Sequence, residues 1–336
     1  MNLVAATKPD TVSAPLGLQT LRKPAGYLAA LLILAVPVAF MPEYLQTVMT
    51  KFLIYALFAV SYDLIFGYTG LMSLGHAAFF GIGGYAVGLL SLHFDNHSFW
   101  LGLLLGIVGS MLAAALFGFI SLRVSGVYFL LITFALGQLL YTLAWNVKWL
   151  NSDGMQGIAG IPEPDMGFPV TWNLATYYYL VLAIFAICYF FLYRLVNSPF
   201  GHVLVGIREG EARMSALGYN VYAYKYAAYI ISGAFAGIAG VLFAYHNSMI
   251  APIHFDVSNS FLPMAMAIIG SSGVLFGPVL GAAIVIFAEF FSSLAFPERW
   301  PLVLGGIFVL CILFARQGVA VYLMRLIRKV GKTWRQ

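Results

Sequence analysis

An all-α, polytopic integral membrane bundle of about ten helices is the fold class this sequence predicts, and three observations predict it. Hydrophobic residues make up 62% of the 336 and charged residues 9%, whereas a soluble domain carries about 25% charged residues. The apolar residues gather into long runs, each near the roughly 20 residues a helix needs to cross the hydrocarbon core. Basic residues cluster at the ends of those runs, as orientation signals do. The net charge of +5 is therefore no nucleic-acid footprint.

Residues 1–26 are polar and weakly basic, without the short apolar core and cleavage site of a secretory signal. They are expected to form a cytoplasmic tail. A transmembrane region at 27–316 follows, and then a basic tail at 317–336 that is also expected in the cytoplasm. Within that region the candidate spans are 27–42, 51–66, 70–92, 99–121, 127–147, 176–194, 225–247, 261–273, 275–292 and 301–316. The run from Phe261 to Phe291 contains no Lys or Arg and is too long for one crossing. Gly270-Ser271-Ser272-Gly273 and Gly277-Pro278 divide it into two helices that meet at a tight turn. Broken or short helices are thus expected near 66–75 and 270–278. Such breaks at membrane depth are tolerated only where protein or a water-filled cavity surrounds them.

Ten spans place both termini on one side. Fourteen of the seventeen basic residues fall on that side, and only Lys51, Lys148 and Arg299 fall opposite. Both termini are therefore expected in the cytoplasm, together with the charged island between Arg194 and Lys225. The largest outward loop, 148–171, carries Asp153, Glu163 and Asp165 among glycines and prolines.

The densest motif is FGYTGLMSLGHAAFFGIGGYAVG at 66–88. Its glycines let neighbouring backbones approach closely, and Gly84 and Gly88 form a GxxxG pair. Ser73, Gly75 and His76, with Gly270 and Gly273 of the second break, are candidates to border a substrate path. Ionisable groups inside spans are rare and face protein or water; here they are Asp63, His76 and Glu289. Asp63 lies within reach of the Gly67–Gly70 turn and is expected to cap it, while Glu289 is expected to reach the outer interface. Three scattered groups are too few for a proton pathway. Cys188 and Cys311 sit inside apolar runs as small hydrophobes, and His93, His246, His254 and Asp256 have no convergent ligand spacing, so no metal site is expected. Gly331-Lys332-Thr333 resembles half of a phosphate-binding loop, but the pattern needs a glycine where Leu326 stands. No nucleophile–base or carboxylate pair suggests catalysis, and no cofactor is expected on this chain. A solute carrier driven from elsewhere fits better than an enzyme.

The island itself, RLVNSPFGHVLVGIREGEARMSALGYNVYAYK, has a core at Ile207–Gly218 that is expected to form a short surface helix. Glu209 and Arg213 stand at i,i+4, and Arg208 and Glu211 at i,i+3, both favourable pairings. Ile207, Gly210, Met214 and Leu217 fall on one side of a helical wheel, and Gly218 supplies a left-handed stop.

Several segments, in this order, carry a family resemblance: the 66–88 motif, SLRVSGVYFLLITFALGQLL at 121–140, DGMQGIAGIPEP at 153–164, GIREGEARMSALG at 206–218 and GSSGVLFGPVLGA at 270–282. Together they resemble permease subunits of branched-chain amino acid ABC transporters of the LivM type. The resemblance covers about residues 27 to 316 and implies a bacterial inner-membrane protein. It implies three kinds of partner: a second permease subunit, two ATPase subunits that bind ATP and Mg²⁺, and an extracytoplasmic binding protein that delivers substrate, docking on outward loops such as 148–171. It also implies that the loop at 195–224 holds a coupling helix, with Arg208, Glu209, Glu211, Ala216, Leu217 and Gly218 in the ATPase contact. Related permeases carry urea or short amides, and from a different class an ion-coupled secondary transporter is the alternative.

Overall fold

The computed structural model describes residues 41–94, 96–151, 157–167 and 171–295, with isolated positions between 302 and 321. The expected first span at 27–42 lies almost wholly outside the described residues, and the last, 301–316, lies largely outside them. The described helices are α1 (Glu43–Phe66), α2 (His76–Phe94), α3 (Phe99–Ser121), α4 (Val127–Asn146), α5 (Leu174–Val196), α6 (Pro199–Glu209), α7 (Glu211–Ala216), α8 (Val221–Asn247), α9 (Val257–Gly270) and α10 (Phe276–Ala295). Seven of them, α1 to α5, α8 and α10, are long and apolar enough to cross a membrane, and α9 is a shorter apolar helix. The chain is thus an all-α, multi-pass membrane bundle.

The only sheet among the described residues pairs β1 (Ile158–Ala159) with β2 (Met249–Ile250), antiparallel. It ties the loop after α4 to the loop after α8. Both loops were expected on the outer face, so the pairing agrees with the charge-derived topology.

Helices α1 and α8 form the centre. They run antiparallel: Tyr55 meets Phe243 near one end, and Ser232 donates to the main-chain oxygen of Ser61 at 2.6 Å nearer the other. α8 packs on α2 and α3, and α1 packs on α9 and α10. The sequence makes these crossings possible with small residues. A Cβ on Gly83 would lie 2.1 Å from the main-chain oxygen of Gly237, and one on Gly240 would lie 1.9 Å from that of Phe80. Backbones this close replace side-chain interlock with direct main-chain packing. The Gly84 and Gly88 pair serves another contact: both face Ile250 of the small sheet, and Gly88 also faces Ile158.

The two central helices are each followed by a stretch that enters the bundle before the next helix starts. After α1 the chain runs through residues 67–75, and α2 begins at His76, beside Ser61 and Phe58, deep along α1. After α8, residues 248–256 include β2 and a 3₁₀ turn (Pro252–Phe255), and the Phe255 ring packs on Gly81 of α2. The two starts then meet, because the Ala77 amide donates to Ser260 Oγ at 2.9 Å. Exchanging α1, α2 and α3 for α8, α9 and α10 preserves which helices pack together. That is the pattern of an inverted repeat with discontinuous helices starting inside the bundle. The Gly67/Gly70 and Gly270/Gly273 turns are not partners in that repeat, in keeping with their expected location on one side; they lie against each other.

Several expected boundaries shift. α1 begins eight residues before the expected span 51–66, so Lys51 lies well inside the helix and not at its first position. There its ammonium pairs with Glu289 of α10 at 2.8 Å. Glu289 was expected simply to reach the interface; burial along α10 gives it a cation instead.

Candidate functional site

The charged island folds as two helices, not one. α6 packs on α5 and α8, and the chain breaks at Gly210 before α7 starts. The break separates the residues expected on a single face: Ile207 is buried under the bundle, whereas Leu217 is 67% exposed. Gly218 does take the left-handed conformation, φ +89°, that ends the segment. The expected Arg208–Glu211 pair inside the island yields to longer-range partners. Glu211 pairs with the largely buried Lys225 in the first turns of α8, which anchors α7 to that helix. Arg208 turns from Glu211 toward the bundle, where its Nη1 donates to the main-chain oxygen of Gly67.

That contact lies at a junction of three segments. Asp63, fully buried one turn before the end of α1, accepts from the Gly273 amide with both carboxylate oxygens, at 2.9 and 3.2 Å. Its own main-chain oxygen receives the amides of Gly67 and Tyr68. Asp63 was expected to cap the nearby 67–70 turn with its side chain; the carboxylate instead holds the distant turn between α9 and α10. The cause is steric and directional. The end of α1 satisfies the local amides with backbone oxygens, leaving the carboxylate to face the open amide of the other turn.

Glycine is required here. Gly273 has φ +76°, and a Cβ on Gly67 would come within 2.2 Å of the Gly273 nitrogen. Gly70 leaves room for the Arg208 stem, whose Cγ would stand 3.1 Å from an added Cβ. Gly270 of the second break packs instead on Gly277, whose main-chain oxygen would lie 1.8 Å from a Cβ there.

The remaining candidates occupy the interior above this junction. Ser73 is fully buried, with Tyr229 Oη 3.4 Å away, and it accepts the Gly75 amide at 3.3 Å. Gly75 itself packs on the backbone of Thr133 in α4. His76 is fully buried between Phe58, Tyr62 and Phe79, and its Nε2 lies 3.0 Å from Ser61 Oγ. Because that hydroxyl donates to Phe58 O at 2.7 Å, it accepts from the imidazole. Ser73, Gly75 and His76 therefore sit together in the buried interior, and Gly270 and Gly273 lie at the other break. A polar group that the sequence left unassigned appears on the partly open side: Asp256 caps α9 by accepting the Ser258 amide at 2.9 Å, and Gln138 of α4 lies 3.5 Å from its carboxylate. Periodicity could not pair them, since 118 residues separate the two.

Among the described residues no group of three or more His, Cys, Asp or Glu is placed to hold a metal ion. The cavity beside α9, about 350 Å³, is lined by apolar side chains such as Phe261, Leu262, Ile269 and Val285, with Ser258 at its edge.

Seven membrane-length helices among the described residues, with a charged two-helix segment fastened to their breaks, define a multi-pass membrane protein. Residues 44–313 match the family model for the permease component of the branched-chain amino acid transport system. The high-affinity branched-chain amino acid transport system permease protein LivM of Escherichia coli is 31% identical over 319 residues, covering 87% of this chain and 74% of the relative. A probable LivM of Methanocaldococcus jannaschii is 27% identical over 281 residues, covering 74% and 81%. A nucleoside ABC transporter permease protein, NupC of Lactococcus lactis, is 26% identical over 240 residues, covering 64% and 74%. No solved structure matches the chain. The chain belongs to the branched-chain amino acid permease family and is an ABC transporter permease subunit, a transport component.

Proposed function

We propose that this chain is one of two membrane-spanning subunits of an importer in the bacterial inner membrane, moving branched-chain or related amino acids handed over by an extracytoplasmic binding protein. Two ATPase subunits, carrying ATP and Mg²⁺, drive it by pushing on the α6–α7 segment. The observation that carries this reading is the disposition of that segment. Glu209, Arg213, Ala216, Leu217 and Gly218 are exposed on a short protruding helix-and-turn, while Arg208 and Glu211 tie the same segment to α1, the α9–α10 turn and α8. A partner that grips the exposed residues acts on the helix breaks through the tied ones. Only contacts that differ between two states of the partner shift the equilibrium of the bundle. The family match supports the substrate class.

The deciding experiment is purification of the tagged chain from its native membrane in mild detergent, followed by reconstitution. An ATPase subunit and a second permease are expected to co-purify, and leucine uptake is expected to require ATP and a loaded binding protein. Uptake by this chain alone, driven by a proton or sodium gradient, would overturn the reading in favour of a secondary transporter. Uptake of urea or short amides without leucine would move the substrate class.

A further inference from the structure

Within the coupling segment the family resemblance implies that Arg208 touches the ATPase, yet from an exposed position its guanidinium reaches inward to the bundle. Two contacts meet at that guanidinium, and a further bond ties one of them to α1. Nη1 donates to Gly67 O, where the 67–75 break begins. The Gly273 amide, at the second break, donates to Asp63 of α1. A Cβ on Gly273 would stand 2.6 Å from Arg208 Nη1, so the second break also lies directly against the guanidinium. α6 otherwise packs on α5 and α8. Arg208 therefore connects the protruding segment to the side of the bundle formed by α1, α9 and α10, and it reaches both breaks at once.

We infer that Arg208 is a positioning residue for transport: a strut that holds the Gly67 and Gly273 turns together and moves them when α6 and α7 move, and not a contact for the partner ATPase. A guanidinium suits this task because it is always charged and presents its donors in a rigid planar fork. Charge-assisted contacts of this kind are about twice as strong as neutral ones, so a small shift of α6 is transmitted and not absorbed. The Asp63 carboxylate is the second half of the device, since it takes the Gly273 amide. Removing Arg208 leaves the two turns joined by the Gly273–Asp63 bonds and their own packing, and frees them from α6.

The inference rests on the importer reading for its effect on transport, and two measurements separate the two. Hydrogen–deuterium exchange on the purified chain by itself reads the strut without any partner. Arg208→Ala is expected to raise amide exchange in residues 67–75 and 271–275 about tenfold, Arg208→Lys is expected to restore part of the protection, and exchange along α3 should stay as in the wild type. Unchanged exchange in both turns would overturn the strut. In the reconstituted complex, Arg208→Ala is expected to leave co-purification of the ATPase and its basal hydrolysis intact while uptake per ATP falls about tenfold. Asp63→Asn, which keeps an acceptor for Gly273 but loses the charge, is expected to fall in the same direction by less. Loss of the ATPase from the Arg208→Ala complex would overturn the inference and restore Arg208 to the partner contact. A wild-type chain that recruits no ATPase would break the importer reading, and the exchange measurement would still decide the strut.

Discussion

Helices α1 and α4 are similarly apolar stretches of similar length, yet one is enclosed by protein on nearly every side and the other exposes most of its surface. α1 carries Thr50, Ser61 and Asp63 into the interior, and each finds a partner: Gln46 O, Phe58 O and the Gly273 amide. α4 turns Val127, Tyr128, Leu131 and Leu139 outward. Hydrophobicity thus specifies that a segment belongs in a membrane and says little about its neighbours, because lipid and protein interior are nearly equivalent solvents for a leucine. Small and polar residues make the distinction. Glycines on α8 and α2 admit a backbone where lipid would need none, and polar side chains on α1 must be satisfied by protein.

The largest effect should come from filling the central seam. Gly240→Leu places side-chain atoms where the Phe80 carbonyl stands, and overpacking of this severity costs about 3 kcal/mol or more. Monodisperse protein recovered from detergent is expected to fall at least severalfold; undiminished recovery would show that the α2–α8 crossing is looser than its geometry implies. A smaller effect is expected at the rim of the same centre. Lys51→Met leaves Glu289 without its cation in a part-buried pair, at a cost of about 1 kcal/mol. The melting temperature in detergent should drop by a few degrees and recover in Lys51→Met combined with Glu289→Leu. The smallest effect belongs to the open helix: Leu131→Ala on α4 should change stability by less than about 0.5 kcal/mol. If that substitution instead releases a second permease from the purified complex, the open face of α4 is a subunit interface and the comparison sharpens into lipid-facing and partner-facing surfaces.

Part of the candidate site was legible in the chain. The break at Gly270–Pro278, the glycine-rich start before α2 and the left-handed Gly218 follow from residues whose backbone preferences are local. The pairing inside the island was not legible, because i,i+3 and i,i+4 rules assume an uninterrupted helix and Gly210 interrupts it. His76 and Ser73 had the composition of path-lining groups; their burial among Phe58, Phe79 and Tyr229 is a matter of which helices surround them.

By itself the sequence determined the membrane class, the approximate positions of the described spans and the family, since each depends on composition, apolar run length or a contiguous motif. Only the tertiary structure decided that Asp63 holds the turn at Gly273, that Arg208 reaches Gly67, and that Lys51 and Lys225 pair with Glu289 and Glu211. The physical reason is distance along the chain. Asp63 and Gly273 are 210 residues apart, and Lys51 and Glu289 are 238 apart. Contacts of that span are set by how the central helices cross, and no local rule encodes the crossing.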